Sequence, residues 1–122
     1  MANILLIEDD TSIAKLYTTE LNLRGHSVTH VISGLNIVDT AKKVKPDLIL
    51  LDIQLPDKDG LTLLGELKAD ETTKKIKVII LSNYASEDNI DKALKIGAED
   101  FIPKHRIVPE ELGQKVESII AS

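Results

Sequence analysis

Five short apolar or alternating runs punctuate the chain, and each is followed by a stretch whose apolar residues recur at helical spacing. Asn3–Ile7, Ser27–Val31, Asp47–Leu51, Lys77–Leu81 and Asp100–Ile102 read as strands. The first helix is expected from Asp10 or Thr11 to about Gly25, a natural C-terminal stop, with Ile13, Leu16, Tyr17 and Leu21 on its inner face. The second is expected from Ser33, with Ile37, Val38, Ala41 and Val44 inward, ending before Pro46. The third carries Leu61, Leu64 and Leu67. The fourth is capped by Ser86, has Glu87 and Asp88 in its first turn, turns Ile90, Ala93 and Leu94 inward and ends at Gly97. The fifth opens at Pro109 and buries Leu112, Val116, Ile119 and Ile120.

Strict alternation of strand and helix predicts an α/β fold, a parallel sheet with helices on both faces. The first, third and fourth strands are apolar throughout (Ile4–Ile7, Leu48–Leu51, Val78–Leu81), as central parallel strands are. The second alternates polar and apolar residues, and the fifth runs into Pro103, so both fit edges. The resulting expectation is a flavodoxin-like doubly wound sheet of order 2-1-3-4-5, with its ligand crevice at the carboxyl ends of strands one and three.

Those carboxyl ends carry the chemistry. Asp52 directly follows Leu48-Ile49-Leu50-Leu51, and Glu8-Asp9-Asp10 follows Ile4-Leu5-Leu6-Ile7. An acid beside a core is costly unless something pairs with it. Strand four ends at Ser82, followed by Asn83, and strand five leads to Lys104. A nucleophilic carboxylate, neighbouring acids able to hold Mg²⁺, a hydroxyl and an ammonium form a set suited to phosphoryl transfer onto Asp52. Asp10 is expected to cap the first helix. Glu8 and Asp9 are expected to bind metal, because like charges that close need a cation between them.

Composition narrows the function without changing this picture. The length of 122 residues fits one domain, here taken as 1–122, and 43% hydrophobic residues supply an aliphatic core. A net charge of −5 speaks against unaided nucleic-acid binding and against an anionic membrane. There is no cysteine, and no apolar run approaches a signal or spanning segment, so a cytoplasmic location is expected.

Four segments together resemble the receiver domain of two-component response regulators: Ile4–Asp10, Leu50–Gly60, Val78–Ser82 and Gly97–Lys104. Each is modest alone. In this order and spacing they are specific, and the resemblance spans essentially the whole chain. It implies that Asp52 accepts a phosphoryl group from a sensor histidine kinase or a phosphotransfer protein, with Mg²⁺ held by Glu8, Asp9, Asp52 and the Gln54 main-chain carbonyl. It further implies that Ser82 and Lys104 bind phosphoryl oxygens and that Phe101 is the aromatic switch, turning inward as Ser82 moves. Switching would remodel the face of helix four, strand five and helix five, a face that also allows a homodimer. The domain would assist its own phosphorylation and dephosphorylation without being a turnover enzyme, and would signal through a protein effector.

Three positions depart from the family pattern. His105 stands where proline is usual, and a non-proline cis bond costs about 3–4 kcal/mol, so a trans bond is expected. Asn83 and Tyr84 are bulkier than usual and are expected to narrow access to Asp52 and slow loss of the phosphoryl group. These departures sustain an alternative, a receiver-like interaction module that works without phosphorylation. A flavin or nucleotide binder of the same fold fits poorly, since Glu8-Asp9-Asp10 would repel phosphate. A turnover phosphohydrolase would want a second carboxylate where Gln54 stands. His26, His30 and His105 lack metal-ligand spacing and read as surface or edge residues.

Overall fold

The computed structural model describes residues 2–56, 58–83, 86–104 and 107–122; the expectations for Tyr84 and His105 lie outside these residues. The elements run β1 (Asn3–Ile7), α1 (Thr11–Leu23), β2 (Ser27–Val31), α2 (Ile37–Val44), β3 (Leu48–Asp52), α3 (Gly60–Ala69), β4 (Lys77–Ser82), α4 (Glu87–Ile96), β5 (Asp100–Pro103) and α5 (Pro109–Ala121). The sheet order is β2-β1-β3-β4-β5. Every neighbouring pair is parallel, with Ile7 opposite both Val31 and Leu51 and Asp52 opposite Leu81. This is the doubly wound arrangement that the run composition predicts. β3 is buried at every position, whereas edge strand β2 is nowhere fully buried.

Period-two alternation sorts the central strands into two cores. On one face Leu5, Ile7, Ile49, Leu51, Val78 and Ile80 pack under α2, α3 and α4 through Ile37, Ala41, Leu63, Leu64, Leu67 and Ala93. On the other, Ile4, Leu6, Leu48, Leu50, Ile79 and Leu81 pack under α1 and α5 through Ala14, Tyr17, Leu21, Leu112 and Val116. No helix among the described residues is long and apolar enough to cross a membrane.

Several local expectations are corrected. α2 starts at Ile37, not Ser33: Ser33 Oγ accepts the Leu35 amide at 3.1 Å in a local turn, and Asn36 adopts a left-handed φ of 58° that no helix interior accommodates. β3 is displaced by one residue and takes in Asp52, while the Asp47 carboxylate accepts the Asn3 amide at 2.8 Å just before the strand. Leu16 and Leu94 are 58% and 46% exposed rather than inward. The buried stripe of α1 runs Ala14–Tyr17–Leu21, and that of α4 passes through Ala93, so each leucine sits about 100° off the stripe. Leu63, not singled out in the sequence, is fully buried on α3.

His26 is also not a surface residue. Its side chain is 7% exposed, its Nδ1 accepts the Ala2 amide at 3.1 Å, and its Nε2 lies 2.9 Å from Glu117 Oε2. With Nδ1 accepting, Nε2 carries the hydrogen. Arg24 reinforces this junction of α1 and α5, reaching Glu20 and Glu117 at 2.7 Å each.

Candidate functional site

β1 and β3 each deliver an acid to the carboxyl edge of the sheet. Glu8 is fully buried and Asp52 is 1% exposed, whereas Asp9 faces solvent. Beyond Ile7 the chain turns sharply because Asp10 caps α1, its carboxylate accepting the amides of Ser12 and Ile13 at 3.0 and 3.2 Å. That turn directs the Glu8 side chain inward, where it accepts the Asp10 amide at 3.1 Å. The Glu8 backbone is held from β2: its amide donates to the Val31 carbonyl at 3.0 Å, and His30 Nε2 lies 2.7 Å from its carbonyl. His30 is therefore an edge-strand residue with a defined partner at the site.

Asp52 is fixed by the loop that follows it. Its Oδ1 accepts the Gln54 amide at 3.0 Å, and the Ile53 amide donates to Leu81 of β4 at 3.0 Å. Gln54 forms an isolated bridge to Asp59, whose carboxylate accepts the Leu61 amide at 3.2 Å and caps α3. Gly60 closes this loop. A Cβ there would lie 2.4 Å from Ile53 Cα and 2.7 Å from the Asp52 carbonyl oxygen, so only glycine fits.

Lys104 links the two acids. Its Nζ donates to Glu8 Oε1 at 2.8 Å and to Asp52 Oδ2 at 3.1 Å, and its side chain is 6% exposed. Burial opposes its charge most strongly, but the Glu8 and Asp52 pairings together outweigh burial and raise its pKa. Burial pushes the Glu8 carboxyl from its ordinary 4.5 up to about 7; the bond from Lys104 works against this and nearby Asp52 adds to it. Tyr17 packs near the cluster, and burial raises its pKa as well.

Glu8, Asp9 and Asp52 each offer a carboxylate oxygen, and the three lie within 4.8 Å of one another. Such a set of hard oxygen donors suits Mg²⁺ or Mn²⁺, and exposed Asp9 leaves an entry path. The residues present fit a divalent cation. Ser82 is fully buried at the end of β4, next to exposed Asn83. Asn83 and Lys104 share a cavity of about 250 Å³ with Ile13, Leu16 and Tyr17 of α1 and with Ile107 and Pro109. Phe101 is 8% exposed, its ring buried in the α2–α3–α4 core.

The chain matches the response regulator receiver domain family over residues 4–117. DivK of Brucella ovis, a polar-differentiation response regulator, is 34% identical over 107 residues, covering 88% of this chain and 87% of DivK. RpaA of Synechocystis sp., a DNA-binding dual master transcriptional regulator, is 33% identical over 114 residues, covering 93% of this chain but 47% of RpaA. The chain thus spans about half the length of RpaA. The Mn²⁺-bound form of response regulator Rcp1 superposes with a TM-score of 0.82 at 28% identity, over 94% of this chain and 91% of Rcp1. With the sheet order and the acidic cluster already described, these matches place the chain in the response regulator receiver domain family of two-component systems.

Proposed function

We propose that this chain is a phosphorylation-controlled switch whose phosphoacceptor is Asp52. The observation that carries the reading is the contact of one buried ammonium, Lys104 Nζ, with two buried carboxylates, Glu8 and Asp52. A structural acid at a strand end needs one partner. A nucleophile that must receive a group bearing several negative oxygens needs a cation poised beside it.

The donor is the phosphohistidine of a sensor histidine kinase or of a phosphotransfer protein. An Asp52 carboxylate oxygen attacks phosphorus, the N–P bond breaks, and the imidazole leaves with the bonding electron pair. Lys104 and the Ser82 hydroxyl bind phosphoryl oxygens. The Gln54 amide holds the Asp52 carboxylate in line. Glu8, Asp9 and Asp52, with the Gln54 main-chain carbonyl, would hold Mg²⁺, which would supply charge neutralisation for the phosphoryl oxygens. Water attacking phosphorus later breaks the bond to the Asp52 oxygen, releases phosphate and restores Asp52, and Asn83 restricts its approach. The domain thus assists its own phosphorylation cycle but is not a turnover enzyme. Phe101, coupled to Ser82, relays the state to the α4–β5–α5 face, which meets a protein effector or a second copy. The chain acts in the cytoplasm, and its receiver domain meets protein partners rather than nucleic acid or membrane.

A small phosphodonor with Mg²⁺ tests this by intact mass. The protein gains one phosphoryl group, and Asp52→Asn abolishes the gain. A second reading, a module independent of phosphorylation, draws on the same contact, since Lys104 pairs with both buried acids. An unmodified mass in the same experiment would select it.

A further inference from the structure

We infer that His30 is a positioning residue of the acidic site, clamping the peptide that joins Glu8 to Asp9. The inference rests on the reading above that these acids hold a divalent cation. His30 lies on edge strand β2, opposite Leu6 in the β1–β2 register. Its Nε2 stands 2.7 Å from the Glu8 main-chain carbonyl oxygen. A carbonyl only accepts, so Nε2 carries the hydrogen and donates. The adjacent residue, Val31, accepts the Glu8 amide at 3.0 Å. Consecutive residues of β2 therefore hold both polar groups of the Glu8 main chain.

The position of that carbonyl gives the bond its consequence. It belongs to the Glu8–Asp9 peptide, one residue beyond the last paired position of β1, Ile7. A peptide plane rotates as a unit. The side chains on either side of this one diverge, Glu8 inward to Lys104 and Asp9 outward to solvent. Their carboxylates each offer an oxygen within 4.8 Å of the others and of Asp52, and the setting of that plane fixes where the two side chains leave the main chain. Without the imidazole donor, the Glu8 carbonyl loses this hydrogen bond, and the plane that carries both acids is held less firmly. Hydrogen bonds one step behind the ligating atoms govern affinity at metal sites in this way.

The test measures Mg²⁺ affinity by calorimetry on the full chain, together with melting without metal, for wild type and for His30→Gln, His30→Asn and His30→Phe. A Gln amide reaches to about where Nε2 lies, and an Asn amide falls short. His30→Asn and His30→Phe should weaken Mg²⁺ binding about tenfold or more, and His30→Gln should stay within about threefold of wild type. A purely structural histidine would lower the metal-free melting temperature and leave the affinity of all three folded variants unchanged, which overturns the inference. Should His30→Phe fail to fold, the Gln–Asn contrast decides alone: equal affinities overturn it. If wild type itself binds no Mg²⁺, the metal reading fails and this inference with it, an outcome distinct from a binding wild type with flat variants.

Discussion

Lys104 Nζ stands 2.8 Å from Glu8 Oε1, an ion pair between residues 96 positions apart and both buried. It ties the end of β5 to the end of β1 across the edge of the sheet where Asp52 lies. Lys104→Gln should therefore destabilise the metal-free protein by about 3 kcal/mol, the lower end for a broken buried pair, because Glu8 can take up a proton in compensation. Urea denaturation with and without Mg²⁺ checks this; Mg²⁺ should recover part of the loss. A variant as stable as wild type without metal would show that the pair holds nothing together.

Glu8 sets a pH dependence of definite sign. Its folded-state pKa is raised by burial from 4.5 to about 7, so the folded chain holds this proton more tightly than the unfolded one. The stabilisation is complete below the unfolded value, is lost as pH rises through the folded one, and changes no further above it. Denaturation midpoints between about pH 4.5 and about pH 7 should fall with rising pH in chelator, relative to the Glu8→Gln variant. Saturating Mg²⁺ should flatten the difference, because the ion favours ionised Glu8. A wild type and Glu8→Gln with parallel profiles in chelator would contradict the buried placement of this acid.

Gly60→Ala tests the loop that holds Asp52. The new Cβ would meet the Ile53 Cα and the Asp52 carbonyl oxygen, backbone atoms that cannot swing aside. Overpacking of this kind costs about 1–3 kcal/mol. Phosphorylation of Asp52 by a small donor should slow as well, because the Gln54 amide that orients its carboxylate moves with the loop. Unchanged stability and rate would mean that the loop relaxes without cost.

Asn83 is exposed and lines the cavity beside Lys104. Asn83→Ala should open a path for water and shorten the phospho-Asp52 lifetime about three- to tenfold, on the order of 1 kcal/mol in the barrier. Following loss of the phosphoryl group by mass after donor removal measures it. An unchanged lifetime would remove Asn83 from the control of hydrolysis.

Gly25 and His26 show how far local rules reach. Gly25, with φ 89°, donates to Asn22 and His26 donates to Leu21, closing α1 with paired C-terminal bonds as the glycine predicts. The neighbouring His26 side chain reads as a surface group in the sequence, because its partners, Ala2 and Glu117, come from distant parts of the chain. Asp10 and Ser86 behave in the same legible way, each capping the helix it precedes. Leu16 and Leu94 do not, since apolar spacing alone left the buried stripe uncertain by one residue.

The sequence by itself determined the order of elements, the central and edge strands, and the convergence of Glu8, Asp9, Asp52, Ser82 and Lys104 on one edge. Period and apolar content are local properties, and parallel winding converts them into position. Only the tertiary structure decided which side chain pairs with which. Lys104 bonds Glu8 more closely than Asp52, Gly60 has no room for a side chain, and His30 holds the Glu8–Asp9 peptide. These contacts depend on distances of a few tenths of an ångström between residues far apart in the chain, which no periodicity encodes.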